Sequence, residues 1–101
     1  MLPSHWSIRT QKVLEALAFG LEVPLAGRRC LVGQDEQGRT VLACVAQVWK
    51  GTAYSGESLL PLEVSLASFI EWCQTMPEAD YQRLLAELAL TTARSAESQG
   101  E

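Results

Sequence analysis

Thr40 to Trp49, TVLACVAQVW, is apolar on both of the faces a β-strand presents. One face carries Val41, Ala43, Val45 and Trp49, interrupted by Gln47; the other carries Leu42, Cys44, Ala46 and Val48 behind Thr40. A strand on a solvated sheet surface alternates apolar with polar residues, whereas a strand covered on both sides reads as a nearly continuous apolar run. Both faces of this strand therefore need a cover, and what the remaining chain can supply decides where that cover comes from.

The supply is small. A chain of 101 residues is one domain on length alone, and with 48% hydrophobic residues it fills a core without metal or disulfide staples. The expected domain covers residues 1–92, with 93–101, small and polar, as a disordered tail. Cys30, Cys44 and Cys73 are odd in number and widely spaced, and no charged-then-apolar signal segment opens the chain. Reduced thiols in a cytoplasmic protein are the expectation. No apolar run approaches the ~20 residues that span a bilayer.

Charge divides the chain. Residues 1–50 carry a net +2 and residues 51–101 a net −6, within a total of −4. A nucleic-acid binder needs clustered bases to neutralise phosphates. Arg28-Arg29 is the sole adjacent basic pair, and it reads more simply as a solvated strand entry.

Local signals order the elements. Ser4 or Ser7 caps a first helix to about Phe19, with Val13, Leu14, Leu17, Ala18 and Leu21 at helical spacing and Gly20 as its stop. Arg29–Gly33 and Thr40–Trp49 are strands joined by the polar segment Gln34–Arg39, with Gly38 near its end, a common hairpin closure. If Asp35 faces Arg39, then Val32 faces Leu42 and Cys30 faces Cys44. Lys50–Ser58 reads as a Gly- and Ser-rich loop, and Leu59–Val64 as an edge strand that tolerates Pro61. Ser65 caps a helix to about Gln74 that buries Leu66, Phe69, Ile70 and Cys73. Thr75-Met76-Pro77-Glu78, with capping-box spacing, opens a last helix lined by Tyr81, Leu84, Leu85 and Leu88.

Few residues carry chemistry. Gly51–Ser58 fits G-x-x-x-x-G-x-S after a strand, but Glu57 stands where a phosphate loop needs Lys, and Leu59-Leu60-Pro61 follows in place of a helix. Cys30, Cys44, Cys73 and His5 would suffice in number for zinc, yet none are paired two to four residues apart. Cys30 and Cys44 lack the C-x-x-C spacing of a redox motif. His5, the sole histidine, reads as a surface residue rather than a base, no G-x-S-x-G elbow is present, and Glu63, Glu71, Glu78 and Asp80 read as a solvated acidic face. No catalytic, cofactor or metal residue is assigned. Trp6, Trp49 and Trp72 remain; Trp49 is expected at the core or its edge, and Trp72 either there or on a partner.

The expected architecture is α+β, in the order α-β-β-(β)-α-α, with a small antiparallel sheet of two or three strands. Either helices lie on both sides of Thr40–Trp49, or a second copy covers one side in a two-fold homodimer. The first expectation for function is a cytoplasmic, non-enzymatic protein–protein interaction or adaptor module. It would work as a homodimer or as a subunit of a larger assembly, with Val41, Val45, Trp49 and Trp72 as interface residues, no cofactor and no nucleic acid. One alternative is a ligand-binding domain or enzyme using the Lys50–Ser58 loop. Another is a nucleic-acid-associated regulator using Arg9, Lys12, Arg28 and Arg29.

Overall fold

A computed structural model describes residues 7–99. The elements are α1 (Ile8–Ala18), β1 (Val23–Leu25), β2 (Arg28–Gln34), β3 (Thr40–Lys50), β4 (Ala53–Pro61), α2 (Leu66–Thr75) and α3 (Glu78–Gln99). The fold is α+β, but its antiparallel sheet has four strands, in the order β1-β2-β3-β4, rather than two or three.

Strand β1 was not expected, and the expected edge strand Leu59–Val64 is found as β4, which begins at Ala53 inside the expected Lys50–Ser58 loop and ends at Pro61. Val23-Pro24-Leu25 pairs with Arg28–Cys30 through a two-residue turn, Ala26-Gly27, with φ of 51° and 75°. Two positive φ values in succession mark a type I′ turn, whose twist matches the flanking strands. At the other edge, Lys50 pairs with Ala53 around Gly51-Thr52, and Gly51 takes a φ of 63°. The segment read as a loop is thus the end of β3, a tight turn and the first half of β4. Ser55 is left without an opposite residue where the register shifts between Val48 and Trp49, and such a bulge increases local twist.

The β2–β3 hairpin has the expected register, with Cys30 opposite Cys44 and Val32 opposite Leu42. Its turn explains why. The Asp35 carboxylate accepts from the backbone N–H groups of Gln37 and Arg39, both at 2.9 Å, and from Arg39 Nε at 2.8 Å. Those bonds hold the Asp35 carboxyl below its usual range, the Arg39 backbone N–H contributing most. Gly38, with a φ of 78°, takes the left-handed position that closes the turn.

Hydrogen-bond alternation also orients the edge prolines. The Leu62 N–H donates to the Leu42 carbonyl at 2.9 Å, so alternate pairs counted back from it, Leu60–Cys44 and Ser58–Ala46, are the bonded ones. Pro61 falls between them and its nitrogen faces away from β3. The same count from the Asp35–Arg39 bond through β2 turns the Pro24 nitrogen away from β2. Each edge strand therefore holds a proline where the missing N–H costs no ladder bond.

All three helices pack against one face. Val13, Ala16 and Leu17 of α1, Phe69 and Cys73 of α2, and Tyr81, Leu84 and Leu88 of α3 share a buried cluster with Val23, Leu25 and Cys30. Val32, Leu42 and Cys44 border it, all from the same sheet face. Ser7 caps α1 by accepting from Thr10 N, and Ser65 caps α2 by accepting from Ser68 N. Leu66, expected inside, is 56% exposed on the first turn of α2, and Ala18 is exposed at the end of α1. Thr75 does not open a capping box: its hydroxyl donates back to the Glu71 carbonyl at 3.0 Å, making it the last residue of α2. Helix α3 continues beyond residue 92.

Arg9 binds the corner between α2 and α3. Its Nη1 donates to the carbonyls of Met76 at 2.6 Å, Cys73 at 3.3 Å and Gln74 at 3.4 Å, and its Nη2 to Glu78 Oε2 at 2.5 Å, with the guanidinium 4.6 Å from the Tyr81 ring centre. A helix C-terminus leaves carbonyls without intrahelical donors, and here an arginine from another helix supplies them.

Candidate interaction surface

The second sheet face belongs to Leu31 and Gly33 of β2, Val41, Ala43 and Val45 of β3, and Leu59 of β4, which lie opposite one another in register. None of these joins the helix-packed cluster, and no described helix covers them. Gly33 leaves room for a neighbour: a Cβ built there would lie 3.5 Å from Leu59 Cδ1, so the Leu59 side chain leans over β3 toward β2. Leu31, Val41 and Val45 are half-buried and Ala43 is buried between them, while Leu59 is 44% exposed. At the far end, Trp49 and Tyr54 meet edge to face with ring centres 5.5 Å apart, and each is 53% exposed. Trp49 is thus at the tip of the β3–β4 ribbon rather than in the core or at its edge.

On this face one arginine bridges two carboxylates, a trio that nets −1. Arg29 Nε donates to Glu22 Oε1 at 2.6 Å and its Nη1 to Glu57 Oε2 at 2.6 Å, linking β2 to β4 across β3. Its pKa rises, first through the Glu22 hydrogen bond and then through Glu57. Glu57, which stood where a phosphate loop needs a lysine, has this arginine as its partner.

The expected interface residues divide between two places. Val41, Val45 and Trp49 share the helix-free face, but Trp72 lies on the helix side at the border of the cluster, 5.8 Å beneath the Arg28 guanidinium. Leu31, Leu59 and Tyr54 complete the face and were not singled out from sequence; counting the hairpin register outward from Ala43 and Val45 reaches the first two. The four basic residues offered for nucleic acid are not gathered. Arg9 is bound at the helical corner, Lys12 lies 3.4 Å from Glu15, and Arg28 and Arg29 project from opposite faces of β2. Of the acidic residues read as one face, Glu63, Glu71 and Glu78 are exposed, Asp80 is half-buried beside Arg83, and Glu78 is engaged by Arg9.

Of the thiols, Cys30 and Cys73 are fully buried and Cys44 is half-buried, and none is in a disulfide. Burial pushes the Cys73 thiol up to about 11, and burial together with neighbouring Cys44 raises Cys30. Among the described residues no three His, Cys, Asp or Glu side chains are grouped to hold a metal ion; His5 and Trp6 lie outside them. A groove of about 620 Å³ on the helix side, between α1, α2 and the start of β3, is lined mainly by apolar side chains such as Leu14, Leu42 and Phe69. Among the described residues no helix is long and apolar enough to cross a membrane. No family model, curated protein or solved structure matches the chain.

Proposed function

We propose that the chain is a protein–protein interaction module whose primary contact is with a second copy of itself through the helix-free sheet face. The observation that carries this reading is that all three helices pack on one side of β3, leaving the apolar set Leu31, Val41, Val45 and Leu59 without a cover from the described chain. Two features favour self-association. A two-fold interface places a surface against itself, so like charge repels, and here Arg29 offsets one of its two carboxylate partners, Glu22 and Glu57, leaving only −1 beside the apolar set. Size is also sufficient. Three long strands at ~4.8 Å spacing and a length of ~30 Å project roughly 450 Å² per copy. The accessible area of side chains standing on that plane is larger, so a pair approaches the ~1,000 Å² of a stable contact.

Light scattering on the purified chain at high micromolar concentration is expected to give twice the monomer mass. Leu59→Glu is the decisive variant, since a side chain already 44% exposed on an edge strand can be replaced without unfolding the domain. It should retain the far-ultraviolet spectrum and give a monomer. Val45→Asp should do the same with some loss of melting temperature. A wild-type monomer at that concentration, or a Leu59→Glu dimer, would refute the reading.

A further inference from the structure

On the opposite, helix-facing side of the sheet lies a feature independent of that interface. Cys30 and Cys44 are directly opposite on antiparallel strands. The Asp35 N–H donates to the Arg39 carbonyl at 3.0 Å, which makes that pair a bonded one. Counting back in twos, Gly33–Val41 and Leu31–Ala43 are also bonded, and Cys30–Cys44 falls at a non-bonded pair. Opposite residues approach most closely there, with Cα atoms about 4.5 Å apart and side chains leaning together. A disulfide accepts Cα separations of about 4.4–6.8 Å. The backbone is therefore already placed for a bond, and only the side-chain torsions need to change: the Cys30 thiol now points to the Arg28 carbonyl at 3.8 Å.

From this geometry we infer that Cys30 and Cys44 form an oxidative modification site, which a small-molecule disulfide of the glutathione-disulfide type converts to an intrachain cystine. The two thiols have different roles. Cys44 is half-buried and open to an oxidant, whereas Cys30 is fully buried. The Cys44 thiolate attacks one sulfur of the small disulfide, forming a mixed disulfide and expelling the first small thiolate. Cys30 then gives up its proton to solvent base and attacks Cys44 Sγ, expelling the second. Two protein thiols are oxidised, one small disulfide is reduced to two thiols, and the two protons end on the leaving thiolates. Burial disfavours the Cys30 thiolate, so the second step accelerates with rising pH. Cys73, on α2 and fully buried, does not take part. The new bond staples the β2–β3 hairpin that forms the floor of the core.

The folded chain is incubated with glutathione disulfide at mildly alkaline pH and followed by intact mass spectrometry and peptide mapping. The expected product has lost two hydrogens, carries no adduct, links Cys30 to Cys44, forms unchanged in Cys73→Ser, and melts higher than the reduced protein. Cys30→Ser should stop at a mixed disulfide on Cys44, and Cys44→Ser should stay unmodified. A stable adduct on Cys44 of the wild-type chain, a linkage involving Cys73, or no reaction of the folded protein would each overturn the inference.

Discussion

Replacing Arg9 with methionine should be the most damaging single change to a partly exposed residue in this protein. The side chain is 20% exposed and its Nη1 donates to the Met76 carbonyl at 2.6 Å, with longer contacts to the carbonyls of Cys73 and Gln74. A hydrogen bond from a charged donor contributes about 1.5–3 kcal/mol, and its loss removes the guanidinium from the Cys73, Gln74 and Met76 carbonyls. The guanidinium over the Tyr81 ring at 4.6 Å adds about 0.5–1 kcal/mol. Glu78 is largely solvated, so its ion pair adds little. Methionine keeps the packing of the stem, and the contacts share one side chain, so the expected loss is about 3 kcal/mol. For a domain of this size that lowers the melting temperature by roughly 10–20 °C. Urea titration with circular dichroism should show a lower midpoint at an unchanged slope. Arg9→Lys, with the charge but without the fork, should fall between. A loss under about 1 kcal/mol in Arg9→Met, or wild-type melting in Arg9→Lys, would refute this account of the corner. The acid side offers a further check. Glu78 sits below its ordinary value, through Gln82 first and Arg9 second. Its stabilisation is present above the unfolded carboxyl's pKa and is lost as pH falls through the lowered value, and that sensitivity should shrink in Arg9→Met.

Two further outcomes follow from local geometry. Ala26 holds a φ of 51° on an exposed turn, a conformation that costs an alanine about 1 kcal/mol and suits asparagine. Ala26→Asn should therefore raise the melting temperature by a few degrees, and a decrease would show that the turn is not of the I′ type. The buried thiols predict alkaline sensitivity. Cys73 ionises near 11 in the fold against an ordinary 9.0, and Cys30 is raised as well. Their contribution is complete below the unfolded thiol pKa and is lost as pH rises through the folded value. The urea midpoint should drop between neutral pH and pH near 11 by more in the wild type than in Cys30→Ala/Cys73→Ala, and parallel curves would contradict it.

What could be read from sequence was what local chemistry determines. Ser7, Ser65 and the Asp35–Gly38 turn each act within a few residues, and their positions matched the structure. Asp35 and Gly38 also set the strand register, which placed Cys30 against Cys44. Of the two edge strands, β1 and the first half of β4 were missed, whereas Leu59–Pro61 falls in the expected edge strand. β1 is three residues with a proline, closed by Ala-Gly where Asn-Gly is the usual signal. The first half of β4, Ala53–Ser58, has no apolar alternation because both its faces are open to solvent, and Gly56 marks a bulge rather than a loop. The helix-free face was half legible. Alternation grouped Val41, Val45 and Trp49, but nothing in a helical stripe states which side of a sheet it will meet, so Trp72 was grouped with them although α2 carries it to the other side.

Pro24 and Pro61 bear on how large an assembly this chain can build. Edge-to-edge pairing is open-ended, since each added copy presents a fresh edge and growth leads to a fibre. Stacking on a single apolar face is self-limiting, because two copies use up both faces. An outward-facing proline removes one edge donor in the middle of β1 and one at the end of β4, so that, if copies pair through the proposed face, both edges are less suited to adding further strands. Under the proposed face-to-face contact, apolar strand content that would make a flat sheet prone to filaments would be carried with growth ending at a pair.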